Sequence, residues 1–154
     1  MIIKQGHTVA VAESVTAGLI QNIFANVENA SIFFQGGITA YNIHQKCTHL
    51  FMDPVHAIGN NCVSEKIAEE MAVGICKSFK STWGLAVTGY ASPIPEQGLE
   101  DLYACYAFCF RNEIVKHETV RAALHASPGK VQQFYMKTVV EDFIQSFRLI
   151  EKLS

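Results

Sequence analysis

The chain has 154 residues, of which 49% are hydrophobic and 17% charged, the make-up of one ordinary globular domain with a substantial core. A formal net charge of −2 excludes the broad basic footprint that nucleic-acid binding requires. No apolar run approaches the roughly 20 residues of a membrane-spanning helix, and the start "MIIKQGHTVAVAES" lacks the build of a secretory signal; a cytoplasmic protein with neither membrane nor nucleic acid as partner is expected.

In chain order, "HTVAVA" predicts a buried strand and "SVTAGLIQNIFANV" a helix, with Leu19, Ile20, Ile23, Phe24 and Val27 on one apolar face. "GGITAY" reads as a second strand and "NIHQKCTHLF" as a short helix, closed by a loop at Asp53 and Pro54. Ser64 suits the N-cap of "SEKIAEEMAVGICKSF", where Glu65 complements the positive helix end and Ile67, Met71, Ile75 and Phe79 share a face. "WGLAV" is a third buried strand, ending in the Gly- and Pro-rich loop "TGYASPIPEQG". "LYACYAFCF" and "EIVKHETV" predict an antiparallel hairpin turning at Arg111 and Asn112. Ser127 and Pro128 open a long last helix with Val131, Phe134, Val139, Phe143, Phe147 and Ile150 on its inner side. No repeat or linker divides residues 1–154, and strands alternating with helices before a hairpin predict a single α/β sandwich with a mixed sheet.

The cysteines, Cys47, Cys62, Cys76, Cys105 and Cys109, are odd in number and form no CxxC pair, which fits free thiols in a reducing compartment, with Cys105 and Cys109 buried in a strand. His44, Cys47 and His49 are poorly spaced for a shared metal, so no metal is expected. Glu69 and Glu70 read as part of a solvated helix face. "TGYASPIPEQG" lacks the lysine and spacing of a P-loop.

Ligands of open α/β sheets gather beyond the carboxyl ends of strands. Three polar loops are expected there: Glu13-Ser14-Val15-Thr16, Tyr41-Asn42 and Thr88-Gly89. Ser14 could be a nucleophile if a base lies within reach, beside helix N–H groups able to hold an oxyanion or phosphate. Ser14 or Thr16 could equally cap the helix, and spacing alone favours the cap. Tyr41 and Lys46 read either as a proton relay and a shielded general base, or as an interfacial tyrosine and a solvated lysine.

The blocks "AESVTAGLI", "GGITAYNIHQK", "VSEKIAEEMA" and "LAVTGYASP" together resemble, in family order, the CinA C-terminal domain family of nicotinamide-nucleotide amidases. The resemblance runs from about Thr8 to the last helix. It implies a three-layer α/β/α sandwich, a homodimer, no cofactor or metal, and hydrolysis of nicotinamide mononucleotide to nicotinate mononucleotide and ammonia. It assigns Ser14 as nucleophile, Lys46 as base and Tyr41 as proton-transfer partner, and reverses the odds on Ser14. Glu13, Thr16, Gly18, Thr88, Gly89 and Lys130 are the implied binding set for a small pyridine nucleotide. Backbone near Thr16 and Gly18 would cradle oxyanion or phosphate, and Thr88 and Gly89 would wall the site. The chain departs from the family's usual "AESCTGG" at Val15 and Ala17, and Ala17 brings a methyl where a close backbone approach or a positive φ favours glycine. Gln132 falls where members often present an arginine to phosphate, leaving Lys130 to compensate as a point charge. Three readings stay open: a pyridine-nucleotide amidohydrolase, an amidase of the same mechanism acting on another small amide, and a non-catalytic member that binds a nucleotide or protein.

Overall fold

A computed structural model of the chain describes residues 2–59, 63–123 and 125–153; Cys62 lies outside them. After a 3-10 turn at Ile2–Gln5, strand β1 (Val9–Glu13) enters the middle of the molecule with all five residues buried. Helices α1 (Leu19–Ala25) and α2 (Ala30–Phe33) carry the chain to β2 (Phe34–Thr39). Helices α3 (Ile43–Leu50), α4 (Pro54–Gly59) and α5 (Glu65–Phe79) then lead to β3 (Trp83–Gly89). The hairpin β4 (Tyr103–Phe110) and β5 (Glu113–Arg121) precedes the 26-residue helix α6 (Pro128–Leu153).

The sheet order is β2-β1-β3-β4-β5. β1 pairs in parallel with both β2 and β3, while β3–β4 and β4–β5 are antiparallel. The expected mixed sheet and three layers are thus present. Arg111 and Asn112 both have positive φ (51° and 69°), the geometry of the two-residue turn that matches strand twist.

Period-2 alternation gives the sheet two unlike faces. Val9, Val11, Trp83, Leu85, Val87, Tyr106 and Phe108 form a bulky face that packs on α1 and α6 through Ile20, Phe24, Tyr135, Val139, Phe143 and Phe147. Ala10, Ala12, Ala86, Cys105, Ala107 and Cys109 form a small-residue face under α5. Small residues let this helix sit close: a Cβ at Gly84 would lie 2.2 Å from the Ala72 carbonyl oxygen. The expected burial of Cys105 and Cys109 follows from their place on this face.

Several local expectations are corrected. The helix expected from Ser14 begins at Leu19, because a turn with positive φ at Ala17 (50°) and Gly18 (98°) intervenes. Pro54 does not sit in a loop; it opens α4, and Asp53 Oδ1 accepts from Val55 N at 2.9 Å. In α6 the inward aromatic is the fully buried Tyr135, whose hydroxyl donates to Tyr90 O at 2.9 Å, whereas Phe134 is 42% exposed. Glu69 and Glu70 are not a simple solvated face: Glu69 pairs with Lys66 and His117, and Glu70 with His56. Among the described residues, no helix is long and apolar enough to cross a membrane.

Candidate active site

The chain leaves β1 toward β2 on one side, then returns past β1 to β3 on the other. A crevice beyond the carboxyl ends of these strands follows from that reversal. A cleft of about 440 Å³ lies there, and the loop after each strand contributes: Ser14 and Val15 after β1, Tyr41 and Asn42 after β2, Thr88 and Gly89 at the end of β3. Lys46 of α3 and Gln132 of α6 also line it. Ser14, Tyr41 and Lys46 therefore share one cleft.

The turn that presents Ser14 is held by Glu13. This carboxylate is fully buried and accepts from the Thr16 hydroxyl (2.5 Å) and from the backbone N–H groups of Gly18 (3.1 Å), Ile20 (3.1 Å) and Gln21 (2.8 Å). It satisfies the unpaired N–H groups and the positive end of α1 from the preceding strand. Ser14 and Thr16 are consequently not caps: Gly18 is the N-cap residue and makes no side-chain cap bond. Ser14 N donates to Val87 O at 3.0 Å and ties the turn to β3. Among the described residues, the Ser14 hydroxyl is committed to no other side chain, and the N–H groups of Val15 and Thr16 to no acceptor.

Asn42 caps α3, its Oδ1 accepting from Gln45 N at 3.0 Å, and this fixes the helix that carries Lys46. Lys46 is 2% exposed, and its Nζ donates to Thr88 Oγ1 at 3.0 Å, itself a fully buried residue. The solvated-lysine reading is excluded by this burial. Tyr41 is 68% exposed at the lip of the cleft.

The implied binding set divides. Thr88 and Gly89 line the cleft, while Glu13, Thr16, Gly18 and Lys130 are not among its lining residues. Glu13 and Thr16 face the start of α1, and Lys130 lies exposed on the first turn of α6. Asn42, Val63, Tyr90, Ser92, Ile94 and Pro128 complete much of the wall. Of these, only Asn42 stood in a loop whose strand-end position marked it in the sequence. Among the described residues, no group of three or more His, Cys, Asp or Glu side chains could hold a metal ion.

An α/β/α domain thus brings a serine, a buried lysine and a tyrosine to one strand-end cleft. The family model of the CinA C-terminal domain matches residues 1–133, and the chain belongs to this family. It is 36% identical over 114 residues to a CinA-like protein of Chlorobium chlorochromatii, covering 72% of this chain and 26% of that one. A CinA-like protein of Prochlorococcus marinus is 39% identical over 94 residues, 60% of this chain and 22% of the relative. The chain thus spans about a quarter of the length of these curated relatives. The fold matches a crystal structure of a competence/damage-inducible protein from Agrobacterium tumefaciens, with TM-score 0.84, 24% identity, and coverage of 94% of this chain and 88% of that one. A CinA superfamily protein from Enterobacter cloacae gives TM-score 0.79 at 25% identity over 99% of this chain and 86% of that one.

Proposed function

We propose that this chain is a serine amidohydrolase that hydrolyses the carboxamide of a small pyridine nucleotide or a close relative of one, with nicotinamide mononucleotide the first substrate to test. The observation that carries the reading is that Ser14 and the buried Lys46 line one cleft, with Lys46 docked on Thr88. In the first step Ser14 Oγ attacks the amide carbon as its proton passes to neutral Lys46 Nζ. The oxyanion lies against the N–H of the lining residue Val15, which has no other acceptor among the described residues. Collapse breaks the C–N bond, Lys46 returns the proton to the leaving nitrogen, and ammonia departs from an acyl-Ser14 ester. Water, deprotonated by Lys46, then attacks the ester; the carboxylate is released and Ser14 regains its proton. Tyr41 at the lip donates to or relays protons for the leaving group.

Ammonia release from nicotinamide mononucleotide, with Ser14→Ala and Lys46→Ala as controls, tests the reading. Turnover abolished by both substitutions supports it. Nucleotide binding with no ammonia from the unaltered chain would overturn it in favour of a binding role.

A further inference from the structure

We infer that the chain holds a second binding site, for a small zwitterion of the α-amino acid kind, in the pocket between the start of β3, the β4–β5 turn and the end of α6. This pocket has a volume of about 260 Å³ and shares no lining residue with the cleft of Ser14. It lies at the amino ends of β1 and β3: Trp83 opens β3, and His7 stands two residues before β1. Ser14 and Gly89 stand at the carboxyl ends of the same strands, so the site is independent of the amidohydrolase reading.

Two buried nitrogens belong to this wall. Trp83 is fully buried, and neither its Nε1 nor His7 Nδ1 has a hydrogen-bond partner among the described residues. The rings that carry them meet the same two phenyls. His7 lies 5.3 Å from Phe110 and 6.1 Å from Phe147 between centroids, and Trp83 lies 4.7 Å and 5.8 Å from them. Buried polar atoms are ordinarily satisfied, and two orphans in one pocket mark a place where a guest supplies the missing partners. An indole N–H only donates, so the guest must bring an acceptor. Burial first, then the Arg111 charge, lowers the His7 pKa. The imidazole is therefore neutral at pH 7, and Nδ1 meets a donor or an acceptor according to its tautomer.

Two unpaired charges fix the class of guest. Arg111 and Glu151 both line the pocket, and neither forms an ion pair with the other or with any described residue. Arg111 N donates to Thr82 O at 2.8 Å, which anchors the turn beside Trp83, and the guanidinium lies 5.0 Å over the Phe110 ring. A simple anion would be repelled by Glu151 and a simple cation by Arg111, whereas a molecule carrying both signs answers each. One carboxylate has lone pairs for the guanidinium and the indole N–H together. An adjacent ammonium serves Glu151, and Phe110 and Phe147 leave an apolar wall for a side chain.

Trp83 is the sole tryptophan, so its indole N–H gives a single resonance in the isotope-labelled chain. L-Leucine, L-glutamine and glycine are the probes, titrated at pH 7. A saturable downfield shift of the indole proton is expected, with a Kd at or below about 1 mM for the best of the three. The counterpart of that amino acid without its ammonium, and the one without its carboxylate, should each bind about tenfold more weakly or worse; for leucine these are 4-methylpentanoate and 3-methylbutylamine. Arg111→Gln should weaken the amino acid by about tenfold or more. Glu151→Gln should weaken it similarly while leaving the ammonium-free counterpart unchanged or tighter. No saturable shift with any of the three overturns the site, its nitrogens then being met by water. Equal affinity for the amino acid and its ammonium-free counterpart overturns the zwitterion. An affinity unaltered in both variants overturns the placement in this pocket.

Discussion

Lys46 Nζ donates to the Thr88 hydroxyl across 3.0 Å, and both side chains are buried where α3 meets the end of β3. Lysine carries a long, flexible stem, so a general base built on it needs an anchor to hold Nζ toward Ser14. Thr88→Val keeps the shape and removes the acceptor. We expect kcat for ammonia release to fall by about tenfold or more, corresponding to roughly 1.4 kcal/mol or more of lost positioning, with KM little changed. Thr88→Ser, which retains the hydroxyl, should restore most of the rate. Steady-state kinetics of the two variants check this, and an unaltered kcat in Thr88→Val would show that the anchor is not needed.

Glu13 is expected to act on stability first and activity second. Glu13→Ala leaves three backbone N–H groups and the Thr16 hydroxyl without their acceptor. Buried donors left unpaired cost about 1–3 kcal/mol each, with partial relaxation, so the loss should reach about 3 kcal/mol or more. Glu13→Gln keeps an acceptor oxygen and should lose roughly 1–2 kcal/mol. Urea denaturation of both variants measures the difference. A change below about 0.5 kcal/mol for Glu13→Ala would mean that the turn is held by something else.

The difference between what the sequence revealed and what it hid follows the range of the forces. β1 is legible because a central strand covered on both faces must be apolar along Val9–Ala12. The hairpin is legible because the local chemistry of its turn and strands suffices. The start of α1 is not, since its cap arrives from Glu13 on the strand behind it, and a cap is sought among the residues beside the helix. α2 and α4, of four and six residues, are too short to show a period. Tyr135 is misjudged because its burial depends on the distant Tyr90 carbonyl. Ser14, Tyr41, Lys46 and Thr88 were visible as strand-end polar residues or their near neighbours. Val63, Tyr90 and Ser92 joined the cleft only through tertiary packing.

Ala17 holds a left-handed conformation, φ 50°, that a Cβ disfavours by roughly 1–2 kcal/mol. It is exposed, so nothing in the core depends on its methyl. Glycine relieves the strain but adds freedom to the unfolded chain, worth about 0.4–1 kcal/mol in the other direction. Ala17→Gly should therefore stabilise by up to about 1 kcal/mol. Ala17→Val, with branching at Cβ, should destabilise by about 1 kcal/mol or more. Thermal melts of the pair decide the matter, and equal melting temperatures would show that the turn carries no strain.

On the sheet face that packs against α6, Tyr106 sets the response to alkali. Its hydroxyl donates to Asp142 Oδ2 at 2.8 Å and Glu118 Oε2 at 3.1 Å, while Lys116 pairs with both carboxylates. Burial first, then these carboxylates, raise its pKa well above the ordinary phenol value; burial does the same for Tyr135. The folded state thus keeps both phenols neutral at a pH where the unfolded chain, with tyrosines near about 10, has begun to ionise. Because the folded pKa is the raised one, this contribution is fully present below about pH 10 and is lost as pH rises beyond it. Urea midpoints measured from pH 8 to pH 11.5 should fall steeply above pH 10. In Tyr106→Phe the midpoint at pH 8 should be lower, because Asp142 and Glu118 lose a donor, and the alkaline fall shallower. An alkaline slope unchanged in Tyr106→Phe would show that the transition belongs to other groups.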